Sequence, residues 1–263
     1  MLSLKGLQNK GEKMSYTIAV AGKGGSGKTT LSALIISLLL KSDRKPILAV
    51  DADPNSNLNE ALGVKFDRTV VGAVEEIMGN KDDLPAGITK ERLLESHFQD
   101  ALVESQGFDL LVMGHTEGGG CYCRANDLLR SFMDGLQQNY PYVVMDNEAG
   151  MEHLSRRTTR DADALLIVAN PTPVSLRTAR QIVEMTQNLK LGIKKSYLVI
   201  NEENENHSRI PTEENNAGLT LLGRIPYDQE VEKCSVKVQP LFNLPEDSPA
   251  RRAVSQILET LLI

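Results

Sequence analysis

Two lysines, a threonine and four glycines share one octapeptide, Gly22-Lys23-Gly24-Gly25-Ser26-Gly27-Lys28-Thr29. It fits G-x-x-x-x-G-K-[ST], follows an apolar run and opens a helical pattern, which is the context this phosphate-binding loop requires. Glycines let consecutive backbone amides turn toward one centre. Together with a helix N-terminus, those amides solvate phosphate oxygens that have left water. Gly24, Gly25, Ser26 and Gly27 form the cradle, and Thr30 continues it. Lys28 adds charge at the β and γ phosphates, and Thr29 offers a hydroxyl to Mg²⁺, which prefers an octahedral shell of oxygens. Lys23, taken alone, is a further cation at the loop.

Carboxylates come next. Asp51-Ala52-Asp53-Pro54 follows the apolar run Pro46 to Val50, and Asp146 ends the run Tyr142 to Met145. A carboxylate at the C-terminal edge of a parallel sheet can hold Mg²⁺ through water or orient an attacking water. Asp146 takes the Walker B position, binding Mg²⁺ through water. Asp51 and Asp53 could instead cap the short helix that follows. Asn201 closes the run Ser196 to Ile200 with an amide able to read adenine's donor and acceptor edge. Cys121 and Cys123, in Gly118-Gly119-Gly120-Cys121-Tyr122-Cys123, are soft ligands for Zn, Ni, Cu(I) or an iron–sulfur cluster. Two thiolates do not complete a site. His115, Glu117 or the same pair of a second chain could supply the rest, or the cysteines could be small buried residues or a redox pair. Cys234 has no motif partner and reads as a core or helix cysteine.

The elements that must position these groups are seven short apolar runs: Tyr16 to Ala21, Pro46 to Val50, Leu110 to Gly114, Tyr142 to Met145, Ala164 to Ala169, Ser196 to Ile200 and Thr220 to Ile225. Each reads as a buried strand. Leu31, Leu34, Ile35, Leu38 and Leu39 lie at helical spacing between the first two, and Ile182, Val183, Met185 and Leu189 repeat the pattern. Strands alternating with helices predict an α/β fold with one doubly wound, mainly parallel sheet and helices on both faces. Near the C-terminus, Ser248 caps and Pro249 opens an amphipathic helix expected to pack on the sheet.

The totals set limits. In 263 residues, 29 lysines and arginines meet 35 acids, with no block of like charge, which argues against a nucleic-acid-wrapping surface. Leu31 to Leu40 is half a membrane span. Residues 1–13 lack the apolar stretch of a secretory signal and read as a tail, leaving 14–263 as one domain with a CxC loop near 115–124. Three cysteines make no disulfide framework, so the expected location is cytoplasmic. The stretch Asn201 to Asn216 reads as a solvated acidic loop.

Lys23-Gly24-Gly25-Ser26-Gly27-Lys28-Thr29 resembles the deviant phosphate loop of the family that holds septum-site and partition ATPases and the nitrogenase iron protein. The resemblance implies ATP as the nucleotide, a MinD-like fold and a homodimer in which Lys23 reaches the partner's phosphates. It makes Asp53 the residue that orients the attacking water, puts Asp51 in the Mg²⁺ shell and makes Gly150 part of a second switch. Pro226 and Asp228, in Pro226-Tyr227-Asp228, would line the base through their backbone. Where relatives place a lysine after the asparagine, Glu202 and Glu203 follow Asn201 here.

The phosphate loop, Asp51-Ala52-Asp53-Pro54, the glycine-cysteine segment and Asp146 to Arg156 together look like the nickel-maturation ATPases of carbon monoxide dehydrogenase and acetyl-CoA synthase, the CooC and AcsF family. That likeness, from Met14 onward, implies that Cys121 and Cys123 of two chains hold nickel or zinc at the dimer interface. ATP turnover would then deliver nickel to apo carbon monoxide dehydrogenase or acetyl-CoA synthase, with no nucleic acid and no membrane as partner. Two other readings stand beside it: an iron–sulfur redox protein like the nitrogenase iron protein, and a positioning ATPase without metal chemistry.

Overall fold

The computed structural model describes residues 15–42, 44–53, 55–79, 89–114, 131–148, 161–202 and 219–263. Their order is β1 (Tyr16–Gly22), α1 (Lys28–Lys41), β2 (Ile47–Ala52), α2 (Leu58–Leu62), α3 (Val70–Gly79), α4 (Lys90–Asp100), β3 (Leu102–Glu104), β4 (Phe108–Val112), β5 (Tyr142–Asn147), β6 (Asp161–Ala169), α5 (Pro173–Asn188), β7 (Gly192–Asn201), β8 (Thr220–Ile225), α6 (Gln229–Val236) and α7 (Pro249–Leu261). The eight strands form one sheet in the order β3-β4-β2-β5-β1-β6-β7-β8. All pairings are parallel except β3 with β4. The expected α/β doubly wound architecture is therefore the one observed.

Strand periodicity explains the layers, since successive side chains point to opposite faces. In β1 and β2, Ile18, Val20, Ile47 and Ala49 meet Leu31, Leu34 and Ile35 of α1 and Val254 and Ile257 of α7 in one cluster. The alternate positions serve the other face. There Leu48 and Val50 pack with Val70 and Phe98, and Ala19 and Ala21 with Leu176 and Ile182 of α5. With both faces covered, the strands carry continuous apolar runs rather than alternating ones.

All seven expected runs became strands. The edge strand β3 was not anticipated, because a three-residue antiparallel segment buries too little to leave a pattern. Helix starts follow the sequence closely. Thr172 accepts from Ser175 N at the head of α5, with Pro173 in its first turn, and Ser248 does the same for α7. Ala250, Val254, Ile257, Leu258 and Leu261 are buried, so α7 packs on the sheet as its amphipathic pattern implied.

Register fixes what the site needs. Asp51 and Asp146 are direct cross-strand partners on β2 and β5, and Val20 pairs with Asp146 from the other side. Both carboxylates therefore stand at the same height beside the end of β1, where the loop into α1 begins.

Candidate functional site: a phosphate loop at the sheet edge

Between β1 and α1 the chain turns through Gly22, Gly25 and Gly27, all at positive φ. Gly27 heads α1 at φ 92°, and a Cβ there would lie 2.3 Å from Asn201 Nδ2. That neighbour explains the need for glycine. Asn201 Nδ2 donates to the Ser26 carbonyl at 2.9 Å, so the end of β7 holds the loop in shape. Gly24 and Gly25 have open space where a side chain would stand, as a cradle for an anion requires.

The two lysines are placed differently. Lys28 is only 6% exposed, and its Nζ donates to the Lys23 carbonyl at 3.4 Å. It lies folded back over the loop. The Lys23 side chain is exposed.

Beneath the loop, Thr29 Oγ1 donates to Asp146 Oδ2 at 2.6 Å and Ser32 Oγ to Asp146 Oδ1 at 3.3 Å. Thr29 and Ser32 sit one turn apart on α1, so they reach one carboxylate together. Asp146 is 1% exposed, and burial pushes its carboxyl up to about 6 against the opposing pull of the Thr29 hydrogen bond and the Lys28 charge. Asp51 is raised to about 7, first by burial and then by the charge of Asp146. Two carboxylates held this way gain from a cation beside them. Thr29 and Asp146 are hard oxygen donors suited to Mg²⁺, either directly or through water.

Asp51 has a second occupation. Its Oδ1 accepts from Asp53 N at 3.2 Å and its Oδ2 from Leu58 N at 2.9 Å, so it ties down the turn that leads into α2. Asp53 lines the cavity and accepts from Asn55 N and Asn55 Nδ2 at 2.9 and 3.0 Å. Asp228 serves two helix starts, as its Oδ1 accepts from Glu230 N while its Oδ2 accepts from Ser248 Oγ and Ala250 N. Pro226 joins β8 to this cap. Gly150, Cys121, Cys123, His115, Glu117, His153, His207 and residues 1–13 lie outside the described residues, as does most of the acidic loop.

A cavity of about 530 Å³ opens over the loop and runs from Gly25, Lys28 and Thr30 past Asp53 to the end of α6. Sequence reading missed its far wall, which comes from Glu60 on α2 and from Ser235, Val238 and Gln239. These follow no motif, and only the topology brings them to the loop. Cys234, expected in a core or helix, is buried on α6 and borders the same cavity.

A glycine cradle at a helix start, a buried lysine and a threonine–aspartate pair at the C-terminal edge of a parallel sheet define a P-loop nucleotide-binding protein. The particular family follows from sequence. The family described as the CobQ/CobB/MinD/ParA nucleotide binding domain matches residues 17–241, and the chain belongs to it. An uncharacterized ATP-binding protein of Methanocaldococcus jannaschii is 42% identical over 93% of this chain and 98% of its own. The carbon monoxide dehydrogenase accessory protein CooC of Rhodospirillum rubrum is 30% identical over 94% and 95% respectively. Among solved structures, a ParA family ATPase from Chlorobium tepidum superposes with a TM-score of 0.69 at 21% identity, over 96% of this chain and 99% of that one.

These findings correct several expectations. The solved structures it resembles include MinD, ParA and McdA proteins and a plasmid partition protein. Among the described residues, no group of three or more His, Cys, Asp or Glu side chains could hold a metal ion. Nickel or zinc at Cys121 and Cys123, and nickel delivery to apo carbon monoxide dehydrogenase or acetyl-CoA synthase, are therefore withdrawn. Within one chain a CxC supplies two ligands of the four such a site needs, and no ligand cluster among the described residues completes it. The exclusion of nucleic acid and membrane is withdrawn as well, since the likenesses include a MinC:MinD cell division complex and a septum site-determining protein of Bacillus subtilis. Among the described residues, no helix is long and apolar enough to cross a membrane.

Proposed function

We propose that this chain is an ATP-hydrolysing switch of the MinD/ParA positioning type, with residues 14–263 forming its ATPase domain. Mg²⁺-ATP sits on Gly24 to Thr30, with Lys28 at the β and γ phosphates. Thr29 and Asp146 hold the Mg²⁺ shell, and Asp53 orients the attacking water. Lys23 completes the phosphate pocket of a second copy, so that ATP closes a homodimer and hydrolysis opens it. A protein or surface partner is gripped only in the closed state.

The observation that carries this reading is the contrast between the two loop lysines: Lys28 is buried against the Lys23 carbonyl, while the Lys23 side chain points to solvent. A cation left outside its own fully formed loop suits action on a neighbouring molecule. Light scattering with Mg²⁺ and a slowly hydrolysed ATP analogue tests it. The parent should double in mass, whereas Lys23→Ala should bind the analogue and stay monomeric. A parent that remains monomeric at saturation sinks the switch. Sedimentation with DNA and with anionic vesicles, each with ATP and with ADP, then identifies the partner surface. Because α7 is committed to the core, a vesicle contact would have to come from elsewhere in the chain.

A further inference from the structure

The turn that closes the far end of the nucleotide cavity is built at a cost. α6 ends in a Schellman motif, in which Gln239 N donates to the Cys234 carbonyl at 2.9 Å and Val238 N to the Ser235 carbonyl at 3.3 Å. Its left-handed position is one that glycine normally fills. Here it holds Val238 at φ 50°. A β-branched side chain in that region is a true outlier, because its Cβ crowds the following carbonyl.

The same residue pays twice. Val238 is 62% exposed, so an apolar side chain meets water in a strained backbone conformation. Neither penalty serves packing. Both make sense if something covers the side chain during function, and its position says what: Val238 lines the cavity whose other end is Gly24, Gly25, Lys28 and Thr29. With phosphates on the loop, the part of a nucleotide that reaches α6 is the nucleoside. Val236, two residues earlier and 78% exposed, does not line the cavity.

Resting on the nucleotide reading above, we propose that Val238 is a specificity-determining contact for the nucleoside, its left-handed backbone aiming the isopropyl group over the base and ribose. Ser235 and Gln239, on the same turn, offer a hydroxyl and an amide to polar edges of that moiety. Strain at this position is the device that presents the apolar surface, which a glycine turn would lack.

Calorimetry with ATP and with inorganic tripolyphosphate tests it on the parent, Val238→Gly, Val238→Ala and Val236→Ala. Losing a covered isopropyl group should weaken ATP about tenfold in Val238→Gly, and by a smaller factor in Val238→Ala. Tripolyphosphate, which reaches only the loop, should stay within about twofold in every variant. Val236→Ala should match the parent for both ligands. Val238→Gly should also unfold no earlier than the parent on heating, since glycine relieves the strain. Equal losses for ATP and tripolyphosphate, or unchanged ATP affinity in Val238→Gly, overturn the assignment to Val238. A parent that binds neither ligand overturns the nucleotide reading itself.

Discussion

Asp228→Ala separates a structural role from a ligand role at a residue whose motif suggested nucleotide contact. Asp228 Oδ1 caps α6 by accepting from Glu230 N at 2.9 Å. Its Oδ2 accepts from Ser248 Oγ at 2.5 Å and Ala250 N at 3.2 Å, tying β8's exit to the start of α7. Losing an N-cap costs about 1 kcal/mol. Ser248 and Ala250 are nearly inaccessible, so the orphaned hydroxyl and amide add about 1 kcal/mol or more each. A loss of about 3 to 4 kcal/mol should lower the melting temperature by roughly 10 °C for a chain of this size. The acid limb carries a sign. Burial would raise the Asp228 carboxyl, but the hydrogen bonds from Ser248, Ala250 and Glu230 win and hold it below its ordinary 3.8. Its stabilisation is therefore complete above about pH 4 and fades as pH falls through the depressed folded value. Thermal unfolding by circular dichroism from pH 7 to pH 3 should show the parent's advantage over the variant shrinking in acid. An unchanged melting temperature at pH 7, with weakened ATP binding, would show the reasoning to be wrong and Asp228 to be a ligand.

Other perturbations read the phosphate loop. Gly27→Ala forces a side chain onto Asn201 Nδ2 in a left-handed conformation, so it should destabilise by about 2 kcal/mol in denaturant titration and abolish ATP binding. Asn201→Ala removes the 2.9 Å clasp on the Ser26 carbonyl. It should cost about 1 kcal/mol and weaken tripolyphosphate and ATP alike, because the loop and not the base loses its support. Thr29→Ala removes the hydroxyl paired with Asp146. In fluorescence titrations it should lower affinity for Mg²⁺-ATP while leaving metal-free ATP nearly unchanged, and a uniform loss would count against a role in the Mg²⁺ shell.

Much of this molecule is legible in sequence because its strongest signals are local. A buried parallel strand writes a continuous apolar run, and a phosphate loop writes its glycines and lysine contiguously, so β1, the loop and α1 can be placed from the stretch between Tyr16 and Lys41 alone. β5's carboxylate was legible for the same reason. What escaped depends on contacts between distant segments. Nothing in Asn201-Glu202 says that the amide will clasp Ser26, 175 positions away. Nor does the sequence around Asp51 say that its carboxylate will also hold the turn into α2 through Leu58 N. The CxC misled in another way. Thiolate softness describes what two cysteines could bind, whereas a site needs two further donors that only the assembled fold can deliver.

The fold also explains why likeness reaches the family more firmly than the task. Every group that touches phosphate or Mg²⁺ in the proposed mechanism stands at the end of β1, β2 or β5, or on the first turns of α1, where neighbouring strands fix register to within one residue. A shift there would turn Asp51 or Asp146 to the wrong face, so the geometry tolerates little change. The nucleoside end of the cavity is bounded by α2 and by the turn after α6, outside the sheet and free of that constraint. Variation in such a turn can retune the ligand without disturbing the catalytic edge. A strained valine at Val238, where an ordinary helix end would take glycine, is therefore a better guide to what this chain binds than the phosphate loop alone.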